Sequence, residues 1–122
     1  MKKLTCYYAH CVAIYNTPQE VRDLVLLNAL GFKVVNPNCR EIQEGYKNSD
    51  MPNIEYFRHL VERNNVFAFR ALPDGSIPSG VYLELIWAKE FEKLIIELPS
   101  GISIRGINLE QTREYLSEIG NR

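Results

Sequence analysis

Glu84 is the residue of this chain best placed by its neighbours to do chemistry. It stands in Ser79-Gly80-Val81-Tyr82-Leu83-Glu84, ahead of Leu85, Ile86, Trp87 and Ala88. A carboxylate thus enters the start of a helix that is otherwise apolar almost all round, the pattern of a helix packed into a core. Burying an ionised carboxylate without partners costs roughly several kcal/mol, and such a group responds by raising its pKa toward neutrality. A carboxyl tuned in that way suits a nucleophile or a general acid or base. The plainer alternative is a glutamate on the one solvated edge of its helix, or an early-turn acid interacting with the positive helix end.

The elements that must position Glu84 can be read in order. Leu4 to Ala9, rich in Tyr, Thr and Cys, reads as a first strand. Thr17-Pro18-Gln19-Glu20 supplies an N-cap threonine, a proline at the first helical position and a glutamate at the third. It opens a helix carrying Val21, Leu24, Val25, Leu27 and Leu30 at helical spacing, stopped by Gly31. Phe32 to Val35 is a short second strand ended by Asn36-Pro37-Asn38, and Cys39 to Asp50 reads as a polar, irregular loop.

Met51 to Arg63 resumes a helical pattern and leads into Val66-Phe67-Ala68-Phe69 as a third strand. The turn-rich Pro73 to Pro78 then separates this strand from the Glu84 helix. Leu94 to Leu98 is a fourth strand, Ile102 to Arg105 a possible fifth, and Leu109 to Ile119 a last helix. Strands alternating with helices predict an α/β fold: a single three-layer α/β/α domain over residues 1–122, with a mostly parallel four- to five-stranded sheet, flavodoxin/Rossmann-like. Ligands of such folds bind outside the carboxyl ends of the strands. That edge collects Tyr7 to Tyr15, Asn36 to Tyr46, Arg70 to Ser79 and the first turns of the Glu84 helix.

Composition narrows the function classes. A hydrophobic share of 46% with 24% charged residues is that of an ordinary globular protein. A net charge of -1 argues against a binder of nucleic-acid polymers or anionic membranes. No apolar run approaches the length of a membrane span, and Met1-Lys2-Lys3-Leu4-Thr5 runs straight into strand-like sequence, so a cytoplasmic protein is expected. Cys6, Cys11 and Cys39 lack metal-ligand spacing, and no metal or cofactor is expected, although a Cys11 to Cys39 bridge stays open. There is neither a Walker A motif nor a G-x-G-x-x-G fingerprint.

Three segments at these places resemble the nucleoside 2-deoxyribosyltransferase-like family. They are Cys6-Tyr7-Tyr8-Ala9-His10-Cys11, Val34-Val35-Asn36-Pro37-Asn38, and Gly80-Val81-Tyr82-Leu83-Glu84 with Ala88 four residues on. The resemblance implies a nucleophilic Glu84 that attacks C1′ of a 2′-deoxynucleoside or its 5′-monophosphate, with Tyr7 hydrogen-bonded to it as the second catalytic residue. It places His10, Asn36, Asn38, Asn65, Ser79 and Gly80 around the substrate, and it implies a homodimer or higher homo-oligomer, with Tyr82, Trp87 and Phe91 as interface candidates. Ser76, Ser79 and Gly80, with Arg70 and Arg105, would receive a phosphate.

The chain also departs from the family pattern. Asn65 and Pro78 stand where the family has acids, and His10-Cys11 where it has Gly-Pro. Asparagine cannot protonate a departing base, which leaves Asp74 or His10 as substitutes. The competing expectation is a nucleotide-binding module of the same fold without turnover.

Overall fold

Strand β1 (Thr5–Ala9) is buried at every position from Cys6 to Ala9, so it must be covered on both faces, as the central strand of a parallel sheet is. The computed structural model, which describes residues 3–50 and 53–99, puts it there. The sheet is four-stranded and all-parallel in the order β2 (Lys33–Val35), β1, β3 (Val66–Phe69), β4 (Leu94–Glu97). Tyr7 pairs in register with Val35 on one side and Phe67 on the other. The expected fifth strand at Ile102 to Arg105, the last helix at Leu109 to Ile119 and the start of a helix at Met51 lie outside the described residues.

The four helices divide between the two faces. Helix α1 (Pro18–Ala29) covers the side of Cys6, Tyr8, Val66 and Ala68. Helices α2 (Arg40–Asn48), α3 (Asn53–Arg63) and α4 (Ser79–Glu90) pack on the side of Tyr7, Ala9, Phe67 and Phe69. The result is a flavodoxin/Rossmann-like α/β fold whose strand order reverses direction between β1 and β3. No helix among the described residues is long and apolar enough to cross a membrane. Cys6, Cys11 and Cys39 are free thiols, so the Cys11 to Cys39 bridge is absent.

Helix α1 starts and stops as its sequence dictates. Thr17 is the N-cap, its hydroxyl accepting from the Glu20 amide at 3.3 Å. Gly31 takes φ +95°, which lets the Phe32 amide return to the Leu27 carbonyl at 3.2 Å. The packed face, however, differs from the hydrophobic stripe. Val21, Val25 and Leu30 are exposed, while Glu20 and Asp23 are buried beside Leu27. Burial of these acids is possible because each is paired. Asp23 accepts from the Tyr8 hydroxyl at 2.5 Å and forms a two-pronged ion pair with Arg70, whose Nε lies 2.9 Å from Oδ2. Arg70 also donates to the Pro99 carbonyl, tying the ends of β3 and β4 to α1.

The expected irregular loop from Cys39 to Asp50 is mostly helix. Only Ile42 and Tyr46 offer an apolar face in α2, and Gly45 interrupts it, so periodicity alone is weak. Local charge and tertiary contact decide instead. Arg40 pairs with Glu44 one turn on at 2.9 Å, Glu41 sits in the first turn and Lys47 in the last, each favourable to the helix dipole. Tyr46 meets the rings of Tyr56 and Phe57, and Tyr56 donates to the Ile42 carbonyl at 3.2 Å. Gly45 has a reason to lack a side chain, since a Cβ there would come within 2.5 Å of the Tyr56 hydroxyl oxygen.

Removing one member of a buried ion pair strands the other as an uncompensated charge, at a cost of about 3–5 kcal/mol. Asp23→Ala is expected to lose stability on that scale in urea titration, and adding Arg70→Met to recover part of the loss. A loss under about 1 kcal/mol for Asp23→Ala would contradict the central role given to this pair.

Candidate active site

Residues 80, 83, 84 and 87 fall on one face of α4, because three- and four-residue spacings align on a helix. That face forms one wall of a cavity of about 250 Å³ at the carboxyl edge of the sheet. Tyr7 and His10 line it from β1 and its exit, Tyr15 and Pro37 from the loops after β1 and β2, and Ile54 and Phe57 from α3. Small-molecule pockets usually run from about 300 to 1,000 Å³. The cavity therefore suits one compact ligand with aromatic or other apolar surface.

Glu84 faces this space and is bonded from beneath. The Tyr7 hydroxyl, on a ring 1% exposed and stacked near Phe67, donates to Glu84 Oε2. Burial among apolar groups pushes the Glu84 carboxyl up to about 7, the Tyr7 hydrogen bond opposing the rise in part. Tyr7 itself is driven well above the ordinary tyrosine value, first by burial and then by the charge of Glu84, so it remains a donor. Helix α4 has Pro78 at its N-cap and no side-chain cap, so among the described residues no side chain caps its first-turn amides where Gly80 meets the cavity. Among the described residues no lysine or arginine lines the cavity, and no group of His, Cys, Asp and Glu is arranged to hold a metal ion.

The other residues singled out in the sequence occupy distinct places. His10 reaches the cavity wall, but both ring nitrogens are engaged: Nδ1 lies 3.1 Å from the Tyr8 carbonyl and Nε2 2.7 Å from Glu20. Asn38 donates to both Glu20 oxygens at 3.1 and 3.0 Å and to Asn16 Oδ1 at 3.0 Å, behind the lining. Burial alone would raise the Glu20 carboxyl; the hydrogen bonds from His10, Asn38 and the Asn16 amide outweigh it and hold the group below its ordinary value. Asn36 accepts from the Asn38 amide at 2.9 Å, closing the turn after β2.

Asn65 lies at the opposite edge of the sheet, before β3, where its Oδ1 accepts from the Thr5 amide at 2.9 Å. Asp74 is spent on Ser76, whose amide and hydroxyl it accepts at 2.9 and 2.6 Å in an exposed turn. Arg70 is committed to Asp23 on the other face of the sheet, and Ser79 is exposed beside Gly80. Arg105 lies outside the described residues. The structure thus joins Glu84, Tyr7, His10 and Gly80 at one cavity, and adds Tyr15, Pro37, Ile54, Phe57, Leu83 and Trp87. The helical spacing of Gly80, Leu83, Glu84 and Trp87 already held the signal for the α4 members. Those on α3 depend on how the helices dock.

Two outcomes follow from this geometry. Below pH 4.5 Glu84 is protonated whether the chain is folded or not; between 4.5 and about 7 the folded chain keeps a proton that the unfolded chain has released. Stability contributed by the neutral carboxyl is therefore full at low pH and lost as pH rises through about 7, by about 3 kcal/mol in all. Glu84→Gln, neutral throughout, is expected to match the native chain near pH 4 and to exceed it by up to that amount at pH 8.5 in denaturant titrations. A Cβ added at Gly80 meets nothing within 4 Å. Gly80→Ala is expected to be neutral or stabilising by up to about 1 kcal/mol, which thermal melts check; a loss of more than about 1 kcal/mol would contradict the open space beside it.

No protein-family model matches the chain and no curated protein matches it.

Proposed function

We propose that this protein cleaves the N-glycosidic bond of 2′-deoxynucleosides or their 5′-monophosphates, or transfers the deoxyribosyl group to a second base, with Glu84 as nucleophile. The observation that carries the reading is the Tyr7 to Glu84 hydrogen bond at the floor of a ligand-sized cavity walled by aromatic side chains. The resemblance of the Tyr7, Pro37 and Glu84 segments to the nucleoside 2-deoxyribosyltransferase-like family points the same way.

In this reading Glu84 oxygen bonds to C1′ as the C1′–N bond breaks and its electron pair leaves with the base. The departing base takes a proton from water; the ester is then opened by water or by a ring nitrogen of a second base, whose proton passes to the hydroxide left from the first half, and Glu84 leaves as the carboxylate. Departure of the base places oxocarbenium-like positive charge on the sugar, which a nearby carboxylate stabilises and can close on. Tyr7 holds the carboxylate in one orientation throughout and stays protonated. A lining that carries the Glu84 carboxylate and, among the described residues, no lysine or arginine favours the nucleoside over its monophosphate; a phosphate would rely on the amides at the start of α4. The protein is taken to act as a homodimer or higher homo-oligomer. Tyr82 and Phe91 remain interface candidates, since Trp87 is buried in the cavity wall.

A second reading, a nucleotide-binding module without turnover, is favoured by one observation: Glu84 is the only carboxylic residue on the described lining. No second carboxyl is there to protonate the leaving base.

Chromatography of the protein incubated with each deoxynucleoside and 5′-monophosphate, with and without a second free base, separates the two. Free or exchanged base is expected with the native chain and only background with Glu84→Gln. The rate should rise with pH along an acid limb near 7, where Glu84 ionises. Tyr7→Phe removes the bond that favours the charged carboxylate, so the limb moves to higher pH and the plateau falls by up to about 100-fold through misplacement. Saturable binding with no product from any substrate would support the binding module instead.

A further inference from the structure

The polar groups on the cavity wall are few, and most are already committed. Tyr7 donates to Glu84, and His10 spends both ring nitrogens on Tyr8 and Glu20 with its side chain closed to solvent. Tyr15 is different. It lines the cavity, it is only partly buried, and among the described residues its hydroxyl has no hydrogen-bond partner.

Its placement is tightly determined. The Tyr15 ring lies against His10 with centroids 4.7 Å apart at 45°, and His10 in turn stacks on Tyr8 at 3.8 Å and 6°. The Tyr15 amide closes the short 3-10 turn Val12–Ile14 by bonding the Val12 carbonyl at 3.0 Å. The next residue, Asn16, sits in the left-handed region at φ +61°, a conformation asparagine tolerates better than most, with its amide bonded to Glu20 Oε1 at 3.1 Å. Buried Glu20 therefore anchors His10, Asn16 and Asn38 together, and Tyr15 is fixed between the first two. A non-glycine residue at positive φ beside a ligand-facing side chain is backbone held in an unusual state by its surroundings.

We infer that the Tyr15 hydroxyl is the cavity's hydrogen-bond donor to the heterocycle of the ligand, taking a ring nitrogen or carbonyl oxygen of the base. The inference rests on the glycosidic reading for its role in turnover, but not for its role in binding. Burial first, and the charge of Glu84 second, push the Tyr15 hydroxyl up to about 12, so it keeps its proton at neutral pH and donates. Tyr15 and Glu84 line the same cavity, so one ligand can meet both. As the C1′–N bond breaks and its electron pair moves to the base, the hydrogen bond disperses the charge. Tyr15 retains its proton and the base takes one from water. This supplies part of what a carboxylic acid would supply in a site where none but Glu84 lines the described wall.

Trp87 offers the other candidate donor on the described lining, an indole N–H on a largely buried ring. It lies almost one helical turn beyond Glu84 and serves as the control.

The test is calorimetric binding of adenine, guanine, cytosine and thymine, and of indole as a flat bicycle without an acceptor nitrogen, to the native chain, Tyr15→Phe and Trp87→Phe. Tyr15→Phe is expected to weaken the bound base about tenfold, the worth of one good hydrogen bond, and to leave indole unchanged. Equal affinity of Tyr15→Phe and native chain overturns the inference, as does equal weakening of base and indole, or a loss confined to Trp87→Phe. Failure of all four bases to bind the native chain overturns both this inference and the glycosidic reading.

Binding that depends on Tyr15 without any turnover keeps the inference and removes the catalytic reading. Where turnover is seen, Tyr15→Phe should slow release from an ordinary deoxynucleoside. A 7-methylated purine deoxynucleoside, whose base leaves uncharged, should be cleaved at the native rate; equal slowing of both assigns Tyr15 to packing.

Discussion

Two consecutive tyrosines in a strand buried on both faces set the constraint from which the rest of this structure follows. Tyr7 and Tyr8 must point to opposite sides of the sheet, and each carries a buried side chain whose hydroxyl needs a partner. Each finds a carboxylate on a helix of its own side: Tyr7 that of Glu84 on α4, Tyr8 that of Asp23 on α1. The two pairings begin alike and end differently. Asp23 also meets the Arg70 guanidinium, so its charge is balanced and the arrangement is inert. Among the described residues Glu84 meets only a neutral donor and a cavity, so no cation there balances its charge, and the carboxyl is left near the point of ionising. One fold thus holds a charge-balanced and an unbalanced version of the same contact on either side of one strand.

That contrast explains which parts of the molecule were legible beforehand. The order of strands and helices follows from apolar runs and turn chemistry, which are local, and Thr17, Gly31 and the Asn36 to Asn38 turn act as their types predict. Glu84 was visible because a charge stood among apolar residues, and Tyr7 because the adjacent strand ends near it. The packed face of α1 was not visible. A hydrophobic stripe counts Val21 and Val25, yet Glu20 and Asp23 are the residues that turn inward. Their burial is licensed by His10, Asn38, Tyr8 and Arg70, partners that come from other elements and leave no mark on helical periodicity. Helix α2 escaped for the same reason, since the rings that receive Tyr46 belong to α3.

The residues first placed around the ligand sort by the same logic. Of the residues expected to face a substrate, His10 turns Nε2 and Asn38 its amide nitrogen toward Glu20. His10 forms part of the wall and Asn38 braces it from behind. Tying the loop after β1 to the loop after β2 keeps Tyr15 and Pro37 in place, so a network one layer behind the cavity fixes its outline. Asn65 performs a comparable task at the far edge, where it joins the starts of β1 and β3. Sequence position relative to a strand told which segments would gather at which edge. It could not tell whether a polar side chain would be spent on the fold or kept for a ligand, because that depends on the acceptors nearby.

A glutamate that ionises only near pH 7 is a reluctant anion, and in the proposed chemistry that reluctance has a use. The carboxylate has no cation beside it among the described residues and has lost much of its hydration, so its charged state lies about 3 kcal/mol above that of an ordinary glutamate. A substrate whose C1′ becomes positive as the base departs supplies the missing counter-charge, and supplies it most fully at the transition state. The interaction is then stronger with the transition state than with the bound substrate, which is the condition for raising a rate rather than merely tightening binding. An arginine at Glu84 like the one at Asp23 would satisfy the carboxylate beforehand and remove that difference. The described wall of the cavity, which has no lysine or arginine, and the single neutral bond from Tyr7 are, on this argument, what keep Glu84 oriented and still unsatisfied.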